Sequence, residues 1–153
     1  MISQKAKYAL RALLMLAQAP KGEAVMISDI AQARKIPKKF LEQILLELKH
    51  DGLVISKRGK TGGYALLKAP EKISFGQVLR LIDGPIAPLP CLSRMAYRRC
   101  ADCNDEESCS IRKVFAAVTE ATRNVLDGTT LADVLTQPEL HLVADDALQP
   151  AHH

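Results

Sequence analysis

Cysteine is absent from the chain before residue 91 and after residue 109, yet four cysteines stand within that interval. Cysteines that serve packing would be scattered through a core as small hydrophobic residues, so this distribution favours ligands or redox partners. Such a group forms a disulfide framework in secreted proteins and a metal or iron-sulfur site in cytosolic ones. The rest of the sequence favours the cytosol.

The chain also lacks any apolar run near the roughly 18 residues of a membrane span. Its N-terminal stretch has basic residues before apolar ones, but Arg11 and Gln18 interrupt the apolar run and no small-residue cleavage site ends it. Leu10, Leu13 and Ala17 fall on one helical face. We therefore expect an amphipathic first helix, no membrane partner and a cytoplasmic location.

Signatures of an enzyme are missing too. His50 is the only histidine before residue 141, and no paired carboxylates or nucleophile with a base stand out. Gly59, Lys60 and Thr61 would close a phosphate-binding loop, but the glycine required five residues earlier is Val54. We predict that the chain is not an enzyme.

Positive charge is concentrated in one segment. Residues 34–72 hold ten Lys or Arg against four acids, a net charge of +6, whereas the whole chain carries +4. A basic segment in an otherwise near-neutral protein is typical of contact with a nucleic-acid backbone. A solvated basic face is the alternative.

Two helices are predicted around the start of this segment. Ser28 is a candidate N-cap for a helix to about Arg34, and Pro37 suits the first position of a helix to about Asp51. The second helix has an apolar face and a largely basic polar face. The apolar face comprises Leu41, Ile44, Leu45 and Leu48, and the polar face comprises Lys38, Lys39, Glu42, Gln43 and Lys49. This arrangement predicts a helix-turn-helix, although any helical bundle also contains packed pairs.

A β-hairpin is predicted next. Residues 53–55 and 64–67 form its strands, and 56–63 form a glycine-rich basic turn. Directly after a helix-turn-helix, such a hairpin is a wing that can place Lys57, Arg58 and Lys60 against phosphates or in a minor groove.

The C-terminal half is predicted to contain a cysteine-rich loop and a long helix. Ser74 and Gln77 suit the cap of a short helix before the loop, and Thr129 or Thr130 caps a last one. The helix over 112–126 carries an apolar stripe suited to pairing with a second copy, and packing on its own domain is the alternative. The stripe comprises Ile111, Val114, Phe115, Val118, Thr122 and Val125.

The predicted fold class is mainly α with a small β-hairpin wing, a winged helix-turn-helix domain plus a long dimerisation helix. We expect the DNA-binding domain at 1–84 and the cysteine-rich loop at 85–109. The dimerisation helix and a short C-terminal helix occupy 110–137. The acidic tail, 138–153, is expected to be disordered.

The chain resembles the family of bacterial winged-helix regulators that includes IscR, NsrR and RirA. The resemblance spans roughly residues 1–135 and is carried by K-Y-A-L-R-A-L at 7–13, F-L-E-Q at 40–43 and D-G-L-V-I-S-K-R-G-K-T-G-G-Y at 51–64. Known members are dimeric transcription regulators, and several hold an iron-sulfur cluster on three cysteines ahead of a long dimerisation helix. The resemblance implies a dimeric, sequence-specific DNA-binding regulator, a repressor by family habit, with a palindromic operator.

The resemblance also implies that Glu42, with Lys39 and Phe40, reads the major groove and that Arg58 enters the minor groove. The chemistry agrees, because a carboxylate accepts from the cytosine amino group, whereas lysines suit phosphates. The full set of expected DNA-binding residues is Ser28, Lys38, Lys39, Phe40, Glu42, Gln43, Lys57, Arg58 and Lys60.

By the same resemblance, Cys91, Cys103 and Cys109 are expected to hold an iron-sulfur cluster, of the 2Fe-2S or 4Fe-4S type. Cys100 is an extra cysteine, either a fourth ligand or a thiol that replaces one on oxidation. Arg112 stands where some members have a fourth ligand, so that ligand does not carry over. The regulator would then sense iron, nitric oxide or redox state.

Two alternatives stay open for the cysteines. A metal-free thiol-disulfide switch is the first, and zinc is the second, although only Cys100 and Cys103 have the close spacing of a structural zinc pair. Arg98 and Arg99 adjoin Cys100, and Cys109 precedes a helix N-terminus, both of which favour a thiolate. Four nearby acids oppose it, namely Asp102, Asp105, Glu106 and Glu107.

Overall fold

The structure is a computed structural model, and residues 2–137 are described here. Three helices come first, a two-stranded hairpin follows, and three further helices complete the described chain. They are α1 (Gln4–Gln18), α2 (Ile27–Arg34), α3 (Lys38–His50), β1 (Val54–Lys57), β2 (Gly63–Leu66), α4 (Phe75–Asp83), α5 (Ser110–Gly128) and α6 (Leu131–Thr136). Short 3-10 turns lie at Pro70–Lys72 and Pro90–Leu92. The predicted fold class, mainly helical with one hairpin, is confirmed.

The core forms where the apolar faces of α1 and α3 meet. All four predicted apolar residues of α3 are fully buried, as is Leu13 of α1. Burial of one such side chain contributes about 1.5–3 kcal/mol to folding, so this contact fixes the orientation of α3. Val78 of α4 and Leu131 of α6 are fully buried in the same core. The short last helix therefore packs back onto the N-terminal half.

The turn between α2 and α3 depends on Lys35, which adopts a left-handed conformation at φ 53° and ends α2. The predicted N-cap at Ser28 is wrong, because α2 begins at Ile27 and Met26 occupies the cap position without a side-chain hydrogen bond. The reason lies in Val25, whose backbone exchanges two 2.8 Å hydrogen bonds with Tyr64 of β2. This pairing ends at Val25, so Met26 takes the cap position and the helix begins at Ile27.

The hairpin is longer than predicted. Val54 pairs with Leu66 and Lys57 with Gly63, so the tip is confined to 58–62. Gly63 has φ 139°, and a Cβ there would lie 2.2 Å from the carbonyl oxygen of Val25. Glycine is therefore required where β2 passes the start of α2.

Helices α4 and α5 are in close side-chain contact. Arg80 of α4 forms a bidentate pair with Asp127 of α5, at 2.6 and 2.8 Å. A Cβ on Gly76 would lie 2.0 Å from Oδ1 of Asp127, so a glycine permits this approach. The Ser74 hydroxyl caps α4 by accepting from the Gln77 amide at 3.1 Å.

The last two helices differ modestly from the prediction. α5 extends two residues beyond the predicted 112–126 at each end, with Cys109 as its N-cap. Thr130 and Asp133 form a reciprocal capping box at the start of α6. Across residues 2–137, no helix combines the length and apolar character needed to cross a membrane. The predicted tail at 138–153 lies outside the described residues.

Candidate nucleic-acid interface and cysteine loop

One cleft gathers four of the nine residues predicted to bind DNA. It has a volume of about 290 Å³, lies between α2, the start of α3 and the wing, and is lined by Ser28, Lys38, Glu42 and Lys57. These residues are up to 29 positions apart in the sequence, and the packing of the hairpin against α2 brings them together. The cleft thus combines two ammonium groups, a hydroxyl and one carboxylate.

The polar face of α3 is presented beside this cleft. Lys38, Lys39 and Gln43 are exposed, and Glu42 is half-buried. Phe40 is different, because its half-buried ring packs edge-to-face on Tyr8, with the ring centroids 5.6 Å apart. This contact turns Phe40 toward α1 and away from the polar face. The packing of Phe40 on Tyr8 helps to orient α3, and the role of Phe40 in reading bases stays a prediction.

The wing presents the remaining cations. Arg58 and Lys60 are exposed at the tip. The ammonium of Lys57 donates to the carbonyl of Gly22, and that of Lys49 donates to the hydroxyl of Ser56 at 2.8 Å. These contacts hold the wing against α3 and against the segment between α1 and α2.

Sequence reasoning missed Met26, which lines the same cleft and is 49% exposed. An apolar side chain in such a position can contact a thymine methyl group. Its sequence signal is weak, since a methionine before a short helix looks like a core residue. Only the pairing of Val25 with Tyr64 brings Met26 to the surface beside the wing.

The four cysteines lie between α4 and α5 as free thiols. Cys91 is buried on the 3-10 turn Pro90–Leu92, and the other three are half-buried. Cys109 caps α5, its Sγ accepting from the Arg112 amide at 3.4 Å. The amide of Cys103 donates to the carbonyl of Cys100 at 3.2 Å.

The described residues do not form a preassembled metal site. Within 2–137, no three or more side chains of Cys, His, Asp or Glu lie together in a way that could hold a metal ion. The cysteines predicted to converge as ligands are thus not gathered in this arrangement. Arg112, in the position of a possible fourth ligand, has a buried Nε that finds no hydrogen-bond partner in the described part of the chain.

The surroundings of Cys100 oppose a thiolate, as the neighbouring acids predict. Burial raises the pKa of the Cys100 thiol, and the neighbouring Cys91, Asp102 and Cys103 raise it further. The Arg99 guanidinium binds backbone oxygens, because it donates to the carbonyls of Cys103 and Asn104 at 3.3 and 2.9 Å.

Both ends of the cysteine loop contact α5. At the first end, Nη2 of Arg123 donates to the carbonyl of Leu92, next to Cys91, at 2.8 Å. At the second end, Cys109 is the cap of the helix. The loop is therefore attached to α5 at both ends, and the Cys109 thiol is itself part of the helix cap.

The apolar stripe of α5 is largely uncovered by the described part of the chain. Ile111, Val114, Phe115, Val118 and Val125 are between 37% and 62% exposed, and Thr122 is half-buried. The alternative, in which the stripe packs on its own domain, leaves these side chains unexplained. Exposed apolar surface of this extent is typical of a protein-protein contact.

Comparison with known proteins identifies the family. The sequence profile described as "Rrf2: Iron-dependent Transcriptional regulator" matches residues 2–137. An rrf2-like helix-turn-helix transcriptional regulator of Rhodobacter capsulatus is 51% identical over 150 residues, which cover 95% of this chain and 100% of that protein.

Solved structures agree. CymR, described as the global cysteine regulator of B. subtilis, superposes with a TM-score of 0.73 at 31% identity, over 88% of this chain and 95% of CymR. IscR of T. potens superposes with a TM-score of 0.71 at 27% identity, over 99% and 93%. These matches confirm the winged-helix fold, the resemblance to IscR-type regulators and the prediction that the chain is not an enzyme. The chain belongs to the Rrf2 family of helix-turn-helix transcriptional regulators.

Proposed function

We propose that this regulator is a cytoplasmic homodimer that binds a palindromic operator through α3 and the wing, and that the cysteines between 91 and 109 sense iron, nitric oxide or redox state. Repression is the proposed outcome of DNA binding. The observation that carries the DNA-binding part is the cleft lined by Ser28, Lys38, Glu42 and Lys57.

The groups around this cleft divide naturally between phosphates and bases. Lys38, Lys57 and Lys60 suit phosphates and add affinity without base selection, whereas the carboxylate of Glu42 can accept from a cytosine amino group. We propose that the first turn of α3 enters a major groove while Arg58 at the wing tip reaches the adjacent minor groove. Phe40 would support this arrangement by fixing α3 on α1.

The salt dependence of binding tests this assignment. We expect the affinity for operator DNA to fall steeply as salt rises, and Lys57→Ala to reduce the slope of log K against log salt by about one. Lys72→Ala is the matched control, because Lys72 lies on the Pro70–Lys72 turn, outside the cleft. Equal slopes for the wild type and Lys57→Ala would remove Lys57 from the interface.

For the sensor, we propose an iron-sulfur cluster held by Cys91, Cys103 and Cys109, with Cys100 as the fourth ligand or an exchanging thiol. The support is the iron-dependent description of the family and the similarity to IscR. The arrangement described above does not itself gather these cysteines. Cluster binding would thus require the loop to rearrange.

A metal-free thiol-disulfide switch is the second candidate, because all four thiols are free and Cys91 is among the neighbours that raise the pKa of Cys100. A solved CymR structure from Staphylococcus aureus, described as an oxidized form, shows that relatives exist in distinct redox states. Zinc is the third candidate.

Metal analysis of protein purified without oxygen separates these candidates. It measures iron, acid-labile sulfide and zinc per protomer. Near-stoichiometric iron and sulfide support the cluster, and a Cys100→Ser protein that keeps both would exclude Cys100 as a ligand. Absence of both after reconstitution would overturn the cluster. A peptide joining Cys91 to Cys100 after mild oxidation then supports the thiol switch, and bound zinc supports the third candidate.

A further inference from the structure

A second cavity lies at the junction of α4, the cysteine loop and α5, away from the DNA-binding cleft. Its volume is about 240 Å³, below the range of roughly 300–1,000 Å³ typical of pockets for drug-sized ligands. Arg80 contributes from α4, Arg123 from α5, and Arg94 from the loop between them. Three separate segments thus supply one guanidinium each.

Positive charge exceeds negative charge in this cavity. Among the lining residues, Asp127 is the acid, and it is already engaged by both terminal nitrogens of Arg80. Arg94 and Arg123 share the carboxylate of Glu120, at the long distances of 3.6 and 3.8 Å. These two guanidinium groups therefore keep capacity to bind a further anion.

The cavity also offers a hydroxyl donor and apolar walls. The buried Ser93 accepts a hydrogen bond from the Ala96 amide at 2.9 Å, which leaves the Ser93 hydroxyl hydrogen for another acceptor. Pro85, Ile86 and Met95 supply apolar wall. Guanidinium forks with a hydroxyl are the donors that recognise carboxylate and phosphate oxygens.

We propose that this cavity binds a small oxyanion, a short carboxylate or a phosphate, as an effector. Arg94 and Arg123 bind the anion, and Ser93 donates to it. The side chain of Arg123 is 12% exposed and is held by the Leu92 carbonyl, so one charge is positioned in advance. Arg94, 70% exposed, closes over the ligand from the loop.

The position of the cavity gives the ligand a route to the DNA-binding half. Arg80 belongs to the helix that packs in the N-terminal core, while Arg123 belongs to the helix with the exposed stripe. A ligand that draws Arg94 onto Arg123 fixes the loop against α5 at the site where α4 and α5 are bridged. The consequence for operator affinity rests on the proposed function, and by linkage DNA would change ligand affinity by the same factor.

Isothermal titration of the full chain without DNA tests the site itself. The probes are succinate and inorganic phosphate at an ionic strength held constant with sodium chloride, and neutral succinamide is the control ligand. We expect saturable one-to-one binding of succinate or phosphate and none of succinamide. Binding of succinate alone identifies a carboxylate site, and binding of phosphate alone identifies a phosphate site.

Arg94→Gln is the diagnostic variant, since this exposed side chain is not needed for folding. We expect affinity to fall by roughly tenfold or more, as for loss of a charge-assisted contact, and Arg123→Gln to act in the same direction. Arg98→Gln, in the same loop but outside the cavity lining, should bind as the wild type does. No saturable binding, or equal weakening in Arg94→Gln and Arg98→Gln, would overturn the site.

A separate operator titration, with and without the bound probe, distinguishes the two proposals. If the probe binds but no DNA does, the proposed function fails while the site stands. If DNA binds and the calorimetric signal is absent, the site fails alone. An unchanged operator affinity with probe bound would overturn the effector role.

Discussion

Glu42 is the residue on which base selection is proposed to depend. It is half-buried beside Lys38 and Lys57, so its carboxylate faces the same cleft as the groups that suit phosphates. A half-buried acceptor is restricted in orientation, which favours one base edge over others.

We predict that Glu42→Gln relaxes operator specificity. Discrimination at one base pair of each half-site should fall by about 1–3 kcal/mol. The reason is that an amide both donates and accepts hydrogen bonds, so it can pair with base edges that a carboxylate does not bind. Competition binding with operators substituted at each position measures this. Glu71→Gln is the control, since Glu71 is an exposed acid outside the cleft. An unchanged preference at every position would remove Glu42 from base reading.

Gly63 is the second residue with a specific physical requirement. We predict that Gly63→Ala destabilises the fold by about 1–3 kcal/mol, since its φ of 139° is strained for alanine and the added Cβ would meet a backbone carbonyl 2.2 Å away. Urea unfolding measures the loss. Gly128→Ala is the control, because a Cβ there meets nothing within 4 Å. Equal stability of the two variants would contradict the close approach of β2 to Val25.

At the scale of elements, α4 and α5 are joined by the pair between Arg80 and Asp127. The Arg80 guanidinium, by its hydrogen bonds, holds the pKa of Asp127 below its ordinary value of 3.8. The lowered pKa means that the unfolded chain binds this proton more readily. The stabilising contribution is therefore complete above the ordinary value and is lost as the pH falls through the lower folded-state value.

We predict that Asp127→Asn lowers the free energy of unfolding near neutral pH by less than about 1 kcal/mol, because both side chains are partly exposed and screened. The difference from the wild type should shrink as the pH falls below 3.8 and through the lower folded-state pKa of Asp127. Urea unfolding near neutral pH and in acid measures it, with Glu120→Gln as a more exposed control. A difference that persists in acid would show that Asp127 contributes by packing instead of by charge.

At the scale of the whole molecule, the exposed stripe of α5 is the surface that we propose binds a second copy. The proposed two-fold dimer would pair the stripes of two α5 helices and set the distance between two α3 helices. That distance determines the half-site spacing of a palindromic operator, near one helical turn or a multiple of it.

We predict that Val118→Asp converts the proposed dimer to a monomer. A charge placed in a buried apolar contact costs about 3–5 kcal/mol, which raises the dissociation constant several-hundredfold or more. Sedimentation velocity across a range of protein concentrations measures this. Asn124→Asp, on the same helix outside the stripe, should remain dimeric. If Val118→Asp remains dimeric, the stripe is not the dimer contact and binds another partner.

The sequence predicts an element correctly wherever contacts between residues near in the chain determine that element. The apolar period of Leu41, Ile44, Leu45 and Leu48 defines α3, and all four are fully buried as that period requires. The basic glycine-rich turn likewise identifies the wing. Ser28 shows the limit, because a long-range backbone pairing of Val25 with Tyr64 determines where α2 begins.

What the sequence by itself determined is the fold class, the family and the candidate groups for DNA and for sensing, since these follow from periodicity, motifs and residue chemistry. Only the tertiary structure decided which groups meet. It brought Ser28, Glu42 and Lys57 around one cleft, turned Phe40 onto Tyr8, left the cysteines without a converging ligand set and joined three arginines at one cavity. The reason is that each of these outcomes depends on packing between segments distant in the chain, which no local pattern encodes.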